Sequence, residues 1–191
     1  MVHVSLSVEA KLWARAANNT SALSRSPPHH QIAMTAATEL RARTRACYPF
    51  VQTYRTRWSD NDQYGHVNNS VYAFLIDSVV NAYLIAHCGL QPGASAAIGL
   101  VVASHWTYFA SLSFPDVLEL GLVVRKLGRS SVVYEVGVFR EGEEGAKAVG
   151  GFVHVFVERN GRRPVTGLGD EMRTGLEAIL RDEGGGEKAR L

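Results

Sequence analysis

The chain has 191 residues, 46% of them hydrophobic and 20% charged, with a formal net charge of +2, the balance of a globular protein with room for one domain and some extra length. So small a net charge makes no field that would gather nucleic acid or an anionic membrane, and neither is expected as a partner. Cys47 and Cys88 show no CxxC spacing, which argues against a disulfide framework and for a reducing compartment with both thiols free.

Residues 1–46 read as a flexible N-terminal extension. They are rich in Ala, Ser, Asn, Thr and Arg, interrupted by Pro27 and Pro28, and hold six basic residues against two acidic ones. That surplus leaves an organelle transit peptide open, beside a plain solvated extension or an upstream start with Met34 as second initiator. No apolar run of signal-peptide length occurs near Met1. The domain is expected over residues 47–181. "FVQTYRTRW" places Phe50, Tyr54 and Trp58 on one parity and Thr53, Arg55 and Arg57 on the other, the period of a half-exposed strand. "NNSVYAFLIDSVVNAYLIAHCGL" predicts a helix capped by Asn68 or Asn69 and closed by Gly89. Its apolar residues cover nearly every face, which predicts a buried helix, while Asp77, Ser78 and Asn81 break the run a membrane span would need.

Four strands follow in "IGLVVASHWTYFAS", "VLELGLVVRKL", "SSVVYEVGVF" and "KAVGGFVHVFVE", divided by turn residues at Phe114-Pro115-Asp116, Leu127-Gly128-Arg129 and "REGEEG". "EMRTGLEAILRD" is a short amphipathic helix, and residues 182–191 form a flexible tail. One strand, one helix and four strands joined by turns predict an α+β domain, an antiparallel sheet wrapped around one long central helix.

"RWSDNDQYGHVNN" carries the chemistry. A helix start presents unpaired N–H groups and a partial positive charge, able to polarise a carbonyl, and a carboxylate just ahead of it can attack that carbonyl or activate water. By residue type alone, Asp60, Asp62, Asn68 and Asn69 also suit plain turn and capping roles.

"DNDQYGHVNNSVY" resembles the D-x-D-x-x-G-H-V-N-N-x-x-Y signature of hot-dog-fold thioesterases of the 4-hydroxybenzoyl-CoA thioesterase type. "SLSFPDVLELG", "RKLGRSSVVYEVGVF" and "GFVHVFVERNGRRPV" resemble successive elements of that family, so the likeness runs from about Phe50 to Leu180. It implies a hot-dog fold that hydrolyses acyl-CoA thioesters without metal or cofactor, in homodimers or homotetramers whose sites lie between subunits. Asp62 then matches the catalytic carboxylate, as nucleophile or general base, and His66 a residue that positions it, the water or the leaving thiolate. Asn69 matches the helix-start position whose N–H meets the carbonyl oxygen. Gly65 permits the turn, Tyr64 and Asn68 fall on the substrate side, and Asp60 reads as structural. Asp77 is a rival acid, since other hot-dog thioesterases carry theirs on this helix and a lone carboxylate there is costly unless paired or functional.

For the CoA phosphates, "RKLGRSS" offers Arg125, Lys126 and Arg129 beside Gly128 and the hydroxyls of Ser130 and Ser131. Two other readings of the likeness are an enoyl-CoA hydratase, which the motif fits less well, and an acyl-CoA-binding module without turnover. The acyl group expected from the likeness is fatty or aromatic. The end Ala189-Arg190-Leu191 resembles a peroxisomal signal of the S-K-L kind, with the basic N-terminal segment pointing instead to mitochondria and the cytosol as a third address.

Overall fold

The structure is a computed structural model that describes residues 37–181; the first 36 residues and the segment from 182 onward, with Ala189-Arg190-Leu191, lie outside the described residues. Contacts divide the chain between Glu39 and Leu40, and the unit that begins at Leu40 carries the sheet and its helices. Its elements are β1 (Phe50–Arg55), α1 (Asn69–His87), β2 (Ala97–Tyr108), β3 (Val117–Leu127), β4 (Ser131–Arg140), β5 (Ala148–Glu158) and α2 (Asp170–Ala178). The strands form one antiparallel sheet in the order β1-β3-β4-β5-β2, with α1 packed on one face. This is the hot-dog arrangement that the sequence predicts.

The apolar runs sort by sheet geometry. Leu118, Leu120, Leu122, Val136, Val138, Phe152 and Phe156 point to the helix and meet Tyr72, Leu75, Ile76, Val79, Val80, Tyr83 and Leu84 of α1 in one core. α1 is long and apolar enough to cross a membrane by composition, yet those residues form the core of this domain. The expectation of burial on every face needs correcting. A single sheet covers a single side, so Phe74 is 71% and Ile85 50% exposed, and Asp77 and Ser78 lie on the open side. The first strand also ends earlier than its parity suggests: the chain leaves the sheet after Arg55, and Trp58 opens a short 3-10 turn, 80% exposed.

The folded unit starts seven residues ahead of the expected boundary at Cys47. Leu40 and Cys47 pack against a second cluster, Tyr48, Phe109, Val123, Phe139, Ala146 and Val149, on the sheet face away from α1. Gly121 and Gly137 are register partners there, and a Cβ on either would stand 2.6 Å from a ring atom of Tyr48. Two bare backbones side by side thus make the trough that Tyr48 fills. Glu135 accepts the Tyr48 hydroxyl at 3.1 Å and the Arg125 guanidinium at 2.6 Å, with Arg43 at 3.2 Å. Arg45 pairs with Glu119 beside them.

His154 lies on the core face of β5 at 3% exposure, amid the rings of Tyr134, Phe152 and Phe156. Burial lowers its pKa from 6.5 to about 4, because the charged imidazolium loses its hydration there. The unfolded chain therefore binds a proton that the folded chain refuses between those two values. Stability contributed by neutral His154 is full above pH 6.5 and drains away as pH falls toward 4, by a few kcal/mol at about 1.4 kcal/mol per pKa unit. Urea melts of wild type and His154→Leu across pH 4–7 check this. The variant should lose much less stability on acidification, and equal slopes would refute the role of His154.

Candidate active site

The polar run folds into a tight loop that its own side chains hold. Asn61 and Val67 form a bridge across it. The Asp62 N–H donates to the His66 carbonyl at 2.8 Å, and Oδ1 of Asp62 accepts the N–H groups of Tyr64 at 2.8 Å and His66 at 3.2 Å. Gly65 takes φ +79° at the tip, a conformation that a side chain would strain. Both described bonds to the Asp62 carboxylate fall on one oxygen. The loop thus fixes the carboxylate's orientation through the main chain, and His66 meets Asp62 by its N–H and carbonyl.

Asn68 caps α1, its Oδ1 accepting the N–H and hydroxyl of Ser70 at 2.9 and 2.8 Å. Asn69 is then the first helical residue, exposed, and no carbonyl one turn earlier can take its N–H. The sequence allows the cap at Asn68 or Asn69, and the structure assigns it to Asn68. Tyr64 stands 85% exposed at the loop tip.

Two residues that the sequence does not single out tie the loop down. Asn61 donates to the Gly65 carbonyl at 3.3 Å and accepts the Phe114 N–H at 3.0 Å, while the Val67 N–H reaches the Leu112 carbonyl at 2.7 Å. The loop is thus fastened to the segment joining β2 to β3. Trp58 lies edge-on to Phe114 beside it, with centroids 5.8 Å apart. The sequence hint for Asn61 was an amide inside a turn-rich run; its partner lay 53 residues away.

Asp77 sits elsewhere. It is about 12 Å along the helix axis from Asn69 at 1.5 Å per residue, on the exposed side, with its carboxylate accepting Asn81 Nδ2 at 3.0 Å. The cost expected of a buried carboxylate on α1 does not arise, because this face is open and Asn81 partners the group.

The basic turn divides. Arg125 gives its guanidinium to Glu135 on the far face of the sheet, both side chains 9% exposed, so Arg125 belongs to an internal ion pair and not to a phosphate site. Lys126 and Arg129 are exposed. Their turn is closed by Gly128 N–H to the Ser131 carbonyl at 2.8 Å and held by Arg173 on the Gly128 carbonyl, Leu168 on that of Arg129 and Phe156 on that of Ser130. Within one chain this turn and the Asp62 loop occupy opposite ends of the sheet. Arg55 pairs with Val117 and Tyr108 with Ala148 at one end, Ser131 with Val155 and Ala97 with Glu158 at the other. Eleven residues of β3 put about 35 Å between them.

A family model described as the thioesterase superfamily matches residues 64–147. The PA5185 protein from Pseudomonas aeruginosa matches at 49% identity over 72% of this chain and 95% of that one, with TM-score 0.70. The chain belongs to the thioesterase superfamily. The family model supplies that assignment, PA5185 extends the likeness over nearly the whole of that chain, and more distant structures repeat the fold. Slr0204, a 1,4-dihydroxy-2-naphthoyl-CoA thioesterase from Synechocystis, superposes with TM-score 0.61 at 14% identity, over 66% of this thioesterase and 94% of that chain. The SAV2348 protein from Staphylococcus aureus, solved in complex with CoA, does so with TM-score 0.63 at 18% identity, over 72% and 89%. Among curated proteins none matches.

Proposed function

We propose that this thioesterase hydrolyses acyl-CoA, with Asp62 as the working carboxylate and the N-terminus of α1 as the electrophilic pole. The observation that carries the reading is the Asp62 loop: a carboxylate whose Oδ1 is pinned by two main-chain N–H groups, six residues ahead of the cap of a 19-residue helix. The Asn69 N–H and the helix dipole favour negative charge on the thioester oxygen. Oδ2 of Asp62 then takes a proton from water as the hydroxide adds to the carbonyl, or adds to it directly to give a mixed anhydride that water cleaves. In either route the C–S bond breaks and the CoA thiolate leaves, to be protonated. A panel of fatty and aromatic acyl-CoA esters, read by released thiol, tests this. Turnover of at least one ester supports it, and tight binding without thiol release would favour a non-catalytic acyl-CoA-binding protein.

The CoA end is proposed to lie across two copies of the chain. β2 is an edge strand, and Val101 and Val102 on it are 49% and 61% exposed, while Phe74 and Ile85 stand exposed on the open side of α1. Antiparallel pairing of β2 with its copy would bury these groups and end the exposed edge. It would also bring Lys126 and Arg129 of one copy to the end of the sheet where the other holds Asp62. That SAV2348 binds CoA is in keeping with phosphates gripped by such a turn. Mixing is the decisive experiment: an Asp62→Asn copy and a Lys126→Ala/Arg129→Ala copy, each impaired alone, should regain activity when recombined, because one site per mixed dimer is intact. No recovery in dimers shown to have exchanged would refute the shared site.

A further inference from the structure

Asp60 is one of four buried polar or charged residues among those described, at 8% exposure, and no described cation pairs with it. Two neutral donors share its Oδ2: the Tyr54 hydroxyl at 3.0 Å, from β1, and the Arg57 N–H at 2.7 Å. Burial and Asp60 together raise the Tyr54 pKa above its ordinary value, so the phenol stays a donor. The main chain of Asp60 works in the other direction, its carbonyl accepting the N–H of the cap Asn68 at 2.8 Å. One residue therefore joins β1, the catalytic loop and the start of α1. A buried carboxylate is a costly way to close a 3-10 turn that an uncharged residue could close. The outlay is understandable if the position it holds matters.

We propose that Asp60 and Tyr54 are a positioning pair for the thioesterase reaction, bracing β1 against the helix cap so that the Asp62 carboxylate and the Asn69 N–H keep their separation across the substrate carbonyl. The proposal rests on the assignment of Asp62 given above. Asp62 is two residues beyond Asp60 and Asn69 one beyond Asn68, so a shift of the brace moves acid and electrophile relative to each other. Displacement of about 1 Å at reacting atoms costs on the order of 10² in rate. The effect belongs in kcat, since both side chains act through the loop and the helix cap that they hold.

Tyr54→Phe removes one hydroxyl and keeps the ring that packs on the core. It should lower kcat about tenfold on the best acyl-CoA of the panel, with KM within about twofold and the melting temperature within a few degrees. Asp60→Ala should lower kcat by about 10², and Asp60→Asn, which keeps an oxygen for both donors, should recover most of that loss. Three results would each overturn the pair: wild-type kcat in Tyr54→Phe, lowered melting temperature with unchanged kcat in folded Asp60→Ala, or Asp60→Asn as impaired as Asp60→Ala. Asp62→Asn assayed alongside separates the two levels. An inactive Asp62→Asn beside a fully active Tyr54→Phe removes the brace alone; an active Asp62→Asn removes the assignment of Asp62 and the purpose of the brace with it.

Discussion

Asp62→Asn should reduce turnover of acyl-CoA by 10² or more while the protein stays folded and its oligomer size stays the same. The amide keeps an oxygen for the N–H groups of Tyr64 and His66 that now bond Oδ1, so the loop survives. What it loses is basicity and nucleophilicity, and removal of a general base costs about 10²–10⁴. Asp77→Asn is the matched control, a carboxylate about 12 Å along the helix whose partner is Asn81. It should retain turnover within a few fold. Circular dichroism and light scattering on both variants exclude unfolding as the cause. An active Asp62→Asn with an inactive, folded Asp77→Asn would reverse the two assignments.

Glu135→Ala should be the most destabilising single change outside the apolar core. The carboxylate collects Arg125, Arg43 and Tyr48 on a face where Glu135 and Arg125 are each 9% exposed. Truncation leaves the Arg125 guanidinium buried and unpaired, a loss of about 3–5 kcal/mol where one partner of a buried pair is removed. Arg43, at 20% exposure, admits some water, so the lower end applies, near 3 kcal/mol and roughly a 10 °C fall in melting temperature. Removing both charges is different. Glu135→Leu/Arg125→Met should recover most of the loss, because two apolar side chains replace two desolvated charges. A Glu135→Ala protein within about 1 kcal/mol of wild type would mean that water reaches Arg125.

The local geometry of the candidate site was legible because its parts are neighbours in the chain. The spacing from Asp62 through Gly65 to Asn69 needs only a turn and a helix cap, both governed by residues a few positions apart, and the structure folds that run as its residue types suggest. Asn61 and Arg125 were not legible in the same way. The partner of Asn61 is the Phe114 N–H on another connection, and Arg125 looks like a phosphate ligand until β4 brings Glu135 beside it.

The sequence by itself determined the five strands, the 19-residue helix with its asparagine cap, and the polar loop between β1 and α1, since period, capping and turn chemistry act within a few residues. Only the tertiary structure decided which side of α1 is covered, where the folded unit begins, and that Lys126 and Arg129 stand at the far end of the sheet from Asp62. Those outcomes depend on strand order and register. The strand order β1-β3-β4-β5-β2 leaves one helix face and the β1 and β2 edges open and sets the Gly121 and Gly137 backbones side by side for Tyr48. No local pattern carries that information, because such contacts join residues that lie on different strands and that only hydrogen-bond registry brings together.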